Sequence, residues 1–85
     1  MIHITADISF YPLDNNYLEI IQEFLSNIHD AKDIAIETTD VSTIITGKYA
    51  RIMEVIEKQL KPFLESGEAV FVLKLSNACG KREHT

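Results

Sequence analysis

The chain has 85 residues, enough for one domain and one core, and at this length folding buries only about 60 to 65% of the surface an unfolded chain exposes, so a lone copy is marginal and self-association is favoured. Eight Lys and Arg against thirteen Asp and Glu give a net charge of −5, which repels phosphate backbones, argues against nucleic-acid binding and mildly favours a cationic ligand. The one cysteine, Cys79, excludes an internal disulfide, the opening residues Met1 to Asp7 lack the pattern of a signal peptide, and no apolar run approaches the roughly 20 residues that cross a bilayer. The expectation is a single cytoplasmic domain over residues 1–85 with no membrane insertion.

Residues 3 to 11 alternate strictly, with Ile4, Ala6, Ile8 and Phe10 on one side and His3, Thr5, Asp7, Ser9 and Tyr11 on the other, the pattern of a half-buried strand. Pro12 has no amide to donate and ends that ladder. Asp14-Asn15-Asn16 supplies turn chemistry, and Asn16 with Glu19 three residues on resembles a capping box.

From Tyr17 to Ile28, Leu18, Ile21, Leu25 and Ile28 recur at helical spacing, with Tyr17, Ile20 and Phe24 widening the stripe. Asp30 to Asp33 breaks the helix. Ile34 to Thr46 then reads as two β-branched runs meeting near Thr39-Asp40, a hairpin.

Gly47 is expected to turn the chain out of the sheet. A second helical stripe follows through Tyr49, Ile52, Met53, Ile56, Leu60, Phe63 and Leu64, in which Pro62 predicts a kink or an early stop near Lys61, with Gly67 at the final exit. Ala69 to Ser76 forms the last strand.

The order β-α-β-β-α-β packs most simply as a ferredoxin-like α+β fold, a four-stranded antiparallel sheet with two helices on one face. Right-handed crossovers put the first and third strands in the centre and the second and fourth at the edges. Alternation then leaves Thr5, Asp7, Ser9 and Tyr11 on the open face beside Val70, Val72, Lys74 and Ser76, and sets Asp7 near Lys74.

Catalytic groupings are sparse. His3, His29 and His84 have no Cys, Asp or Glu at metal-ligand spacing, Cys79 has no nucleophile signature, and Gly47-Lys48 lacks the rest of a phosphate loop, so neither an enzyme nor a metal site is expected. Lys81 and Arg82 read as a solubilising tail. The distinctive cluster is Thr38-Thr39-Asp40-Val41-Ser42-Thr43, where hydroxyls and a carboxylate can hold a flat heteroaromatic ligand, although threonine also suits strands and Thr-Asp suits turns.

Ser9-Phe10-Tyr11-Pro12, with Asp40-Val41-Ser42-Thr43-Ile44 and Gly47-Lys48 further on, resembles the YkoF-type thiamin and hydroxymethylpyrimidine-binding family over nearly the whole chain. The family's first strand closes in a Ser-x-Tyr-Pro pattern, and its third carries a Ser-Thr or Gly-Thr pair before an apolar residue and a glycine. The entry Asp14-Asn15-Asn16-Tyr17 and the close Ser76-Asn77-Ala78-Cys79-Gly80 are similar too. The hairpin turn departs by being one residue shorter.

The resemblance implies non-catalytic binding of thiamin or its hydroxymethylpyrimidine moiety, in uptake or salvage, with no further cofactor. It also implies pairing of domains. Where family members carry two repeats in one chain this one has a single copy, so a homodimer or homotetramer through the open sheet face is expected. The candidate ligand-binding residues are Ser9, Tyr11, Thr38, Asp40, Ser42 and Thr43, with Tyr11 stacking on the pyrimidine, Asp40 accepting from its amino group, and Ser9 or the threonines meeting the ring nitrogens. Strand alternation allows only one of Ser42 and Thr43 to face a given pocket. The alternative is an interaction or oligomerisation module with no small ligand.

Overall fold

The computed structural model describes residues 2–78. Its elements are β1 (His3–Pro12), α1 (Tyr17–His29), β2 (Ala35–Thr38), β3 (Thr43–Lys48), α2 (Tyr49–Ser66) and β4 (Ala69–Ser76). They form one four-stranded sheet in the order β2-β3-β1-β4, every neighbouring pair antiparallel, with the first and third strands central as the crossover rule requires. Cys79, the tail cations and His84 lie outside the described residues.

Both helices cover the same face, and the alternation in β1 decides which. Ile4, Ala6 and Ile8 are buried with Ile45 of β3, Phe24 and Ile28 of α1, and Ile52, Val55, Ile56, Leu60 and Phe63 of α2. The four phenylalanines gather at one end of this core. Phe10 and Phe71 are cross-strand partners whose rings stack at 4.2 Å, while Phe24 and Phe63 meet Phe10 edge-on at 5.1 and 5.3 Å. Such aromatic contacts add about 0.5–1.5 kcal/mol each beyond their buried area, so this end of the core is tightly specified.

Several local expectations are corrected. The α1 stripe centres on Ile20, Phe24 and Ile28, while Leu18 and Tyr17 are exposed. Asn16 caps that helix without a side-chain hydrogen bond; Asp14 does the local work, its Oδ1 accepting from the Asn16 N–H at 2.8 Å. In α2, Val55 is buried whereas Tyr49 and Leu64 are not.

Helix α2 runs through Pro62 to Ser66 without stopping near Lys61. The missing amide and the ring clash of an interior proline cost about 3 kcal/mol, but Pro62 lies on the exposed side, and burial of Leu60 and Phe63 on either side offsets that cost. Gly47 does not turn the chain: it lies within β3 opposite Ile4. Its role is close approach, since a Cβ there would lie 3.3 Å from the carbonyl oxygen of Asp33 and from Ile34 Cγ2. Asp33 itself holds a left-handed φ of 67°, which aspartate tolerates better than most residues.

Candidate functional site

The hairpin turn is built by one side chain. The Thr39 hydroxyl accepts the N–H groups of Val41 at 3.3 Å and Ser42 at 3.0 Å, and lies 3.1 Å from the Ser42 carbonyl and 3.2 Å from the Ser42 hydroxyl. The Thr39 N–H closes the turn on the Ser42 carbonyl at 2.8 Å. Threonine and serine favour such turns because a short hydroxyl reaches backbone two or three residues on. Thr39 and Ser42 are thereby committed to each other.

With the turn closed, Thr38 through Thr43 form one rim of a cleft of about 100 Å³ whose floor is Phe10, Ile21, Phe24 and Leu25. The floor is apolar because it is the end of the aromatic core, where Phe10 of β1 meets the α1 side chains. The rim is polar because β2 and β3 meet there. Thr43 pairs with Ile8, so it points to the helix side and is buried at 4% exposure. Asp40 is exposed at the tip beside Val41, and the Thr38 hydroxyl lies 3.4 Å from His29 Nε2 at the end of α1.

Four of the six candidates, Thr38, Asp40, Ser42 and Thr43, therefore share one cleft, and two do not. Ser9 and Tyr11 pair with Val72 and Val70 and point to the opposite face, because β1 is regular and only its even-numbered residues turn toward the helices. Tyr11 stands 52% exposed there. Ser42 and Thr43 both line the cleft, since Ser42 precedes β3 and strand alternation does not bind it. Among the described residues, Asp40 and Thr43 are the rim groups whose side chains hold no hydrogen bond in place.

The floor residues were not among the candidates. Phe10 carried the available signal, since it separates Ser9 from Tyr11 and must point where the hairpin's helix-side residues do. Ile21 and Leu25 were visible only as a helical stripe.

The open face carries Thr5, Asp7, Ser9 and Tyr11 of β1 between Thr46 and Ile44 of β3 and Val70, Val72, Lys74 and Ser76 of β4. Thr5 and Thr46 meet hydroxyl to hydroxyl at 3.3 Å. Asp7 and Lys74 stand directly opposite on this face, but the one ion pair among the described residues is Arg51 to Glu54 at 2.9 Å. No group of three or more potential metal ligands occurs among the described residues, and no helix there is long and apolar enough to cross a membrane.

A sequence profile of the YKOF-related family matches residues 3–80. No curated protein matches. Among solved structures, the chain is similar to TM0486 of Thermotoga maritima, a proposed thiamine biosynthesis/salvage protein, at 17% identity and a TM-score of 0.77, covering 92% of this chain and 86% of that one. SP2199 of Streptococcus pneumoniae gives a TM-score of 0.81 at 10% identity over 99% of this chain and 100% of that one. MJ1052 of Methanocaldococcus jannascii gives 0.77 at 17% identity over 99% and 95%. At these identities the structural likeness shows the fold alone.

Proposed function

Because the chain belongs to the YKOF-related family, we propose that it binds thiamin or its hydroxymethylpyrimidine moiety in the cytoplasm without transforming it, in uptake or salvage of that compound. The observation that carries this reading is the cleft, with an apolar aromatic floor under a rim whose Asp40 and Thr43 side chains are uncommitted. A flat ring needs an apolar bed and a few convergent polar groups at its edge, and this cleft supplies both. Asp40 accepts from an exocyclic amine, Thr43 and Thr38 meet ring nitrogens, and Ser42 holds the turn that positions them.

At about 100 Å³ the cleft suits one ring, below the roughly 300 Å³ and more of drug-sized sites. The pyrimidine is the half that enters. The thiazolium of whole thiamin stays outside near Asp40, where its positive charge meets a carboxylate on a chain of net charge −5. Ser9 and Tyr11 belong to the open face, and on this reading they serve a homodimer or homotetramer joined there, with half-exposed Val70 and Val72 beside them.

Calorimetric titration of thiamin and of hydroxymethylpyrimidine tests the binding. Both release heat with wild type, and Thr43→Val weakens both by about tenfold, the worth of roughly one hydrogen bond. No heat from wild type up to millimolar ligand overturns the reading and favours an interaction module instead.

A further inference from the structure

Helix α1 presents one row of side chains toward the hairpin. Ile21 and Leu25, one turn apart, line the floor of the cleft, and His29 is the next residue of that row, at the last position of the helix. The chain then returns as β2, whose final residue is Thr38, and the imidazole Nε2 and the Thr38 Oγ1 come to lie 3.4 Å apart. Thr38 also lines the cleft. An imidazole therefore stands directly behind a rim hydroxyl.

The contact can be made in two senses, and they offer different things to a ligand. A hydroxyl has one hydrogen. A bare Nε2 accepts that hydrogen, and Thr38 then shows the cleft only lone pairs. An Nε2 that carries a hydrogen donates it to Oγ1, and the Thr38 hydrogen is free to turn into the cleft. A neutral imidazole holds its N–H on either nitrogen and a protonated one on both, so both senses are open to His29. At 3.4 Å the contact is long for a hydrogen bond, and the hydroxyl can rotate between them without moving a heavy atom.

We infer that His29 is a positioning residue for the cleft: with a hydrogen on Nε2 it holds the Thr38 hydroxyl as a donor toward a ring nitrogen of the bound pyrimidine. The inference rests on the proposed binding of that ring. An aminopyrimidine sets a donor amine beside acceptor ring nitrogens, so it needs an acceptor and donors on the rim. Ionised Asp40 can only accept, and the hydroxyls of Thr39 and Ser42 are tied to the turn, which leaves Thr38 and Thr43 as the side-chain donors. Thr43 is uncommitted. Thr38 can donate without giving up its contact only when Nε2 carries the hydrogen, because the bare form turns lone pairs toward the lone pairs of the ring. His29 thus sets which edge of a ligand Thr38 accepts without lining the cleft itself.

Nitrogen-15 spectra of the histidine rings, taken on the full chain saturated with hydroxymethylpyrimidine and assigned to His29 through the α1 backbone, read the proton directly. Nε2 is expected to carry the hydrogen in the complex. Calorimetry gives the second readout. His29→Leu weakens binding about two- to threefold, the low end of one hydrogen bond, and His29→Gln, whose amide N–H stands near the place of Nε2, restores it. In a Thr38→Val background His29→Leu has no further effect, since the group it acts through is gone. A bare Nε2 in the complex, no loss from His29→Leu, or an equal loss with and without Thr38→Val overturns the inference and leaves pyrimidine binding intact. No heat from wild type up to millimolar ligand overturns both. The ring nitrogen is read on wild type, so it decides alone if a variant does not fold.

Discussion

The hairpin edge and the β4 edge end the same sheet by opposite means. At the hairpin, a four-residue strand is finished by side-chain chemistry: Thr39 binds two backbone N–H groups, and the turn it holds forms the rim of a cleft floored by α1. At β4, eight residues pair fully with β1 and then stop, with valines on one face and leucines on the other half exposed. A turn whose polar groups are locally satisfied can carry a ligand site, while a long edge strand offers its outer backbone to another strand.

The contrast breaks most completely at Phe24, which is 1% exposed and lies beneath the cleft in edge-on contact with Phe10 and Phe63. Phe24→Ala lowers stability by about 3–5 kcal/mol, read as a shifted denaturant midpoint, and takes ligand binding with it because the floor is gone. Thr39→Val is milder and more selective. It removes the acceptor of two turn N–H groups, costs about 1–2 kcal/mol, and weakens ligand binding while leaving the assembly state alone. Smallest in stability is Leu73→Glu with Leu75→Glu, within about 0.5 kcal/mol each for a lone copy because both side chains are already partly in water. Ligand affinity should not change there, whereas it falls at the hairpin, so the two edges separate.

Element order and the face each strand residue takes follow from period-two alternation and two helical stripes, which are local along the chain, and the central strands follow from the handedness of the crossovers. What escaped that reading depended on contacts across it. Pro62 stays in α2 because Leu60 and Phe63 are anchored in the core, and Gly47 is favoured by the close approach of Asp33 and Ile34. In the site, the Thr38 to Thr43 cluster was visible as composition, and four of the six candidates converge on one cleft. Ser9 and Tyr11 fall on the other face because their nearness to the hairpin in the family pattern is nearness along adjacent strands, not on one side of the sheet. The floor of Phe10, Ile21, Phe24 and Leu25 needed the packing of α1 against the hairpin, which no local period encodes.

The most direct test of the central claim is to follow backbone amide resonances while hydroxymethylpyrimidine is added. Shifts confined to Thr38 through Thr43 and to Phe10, Ile21, Phe24 and Leu25, with Val72 through Ser76 unmoved, are the predicted result. Shifts centred on Ser9, Tyr11 and β4, or none at saturating ligand, contradict it.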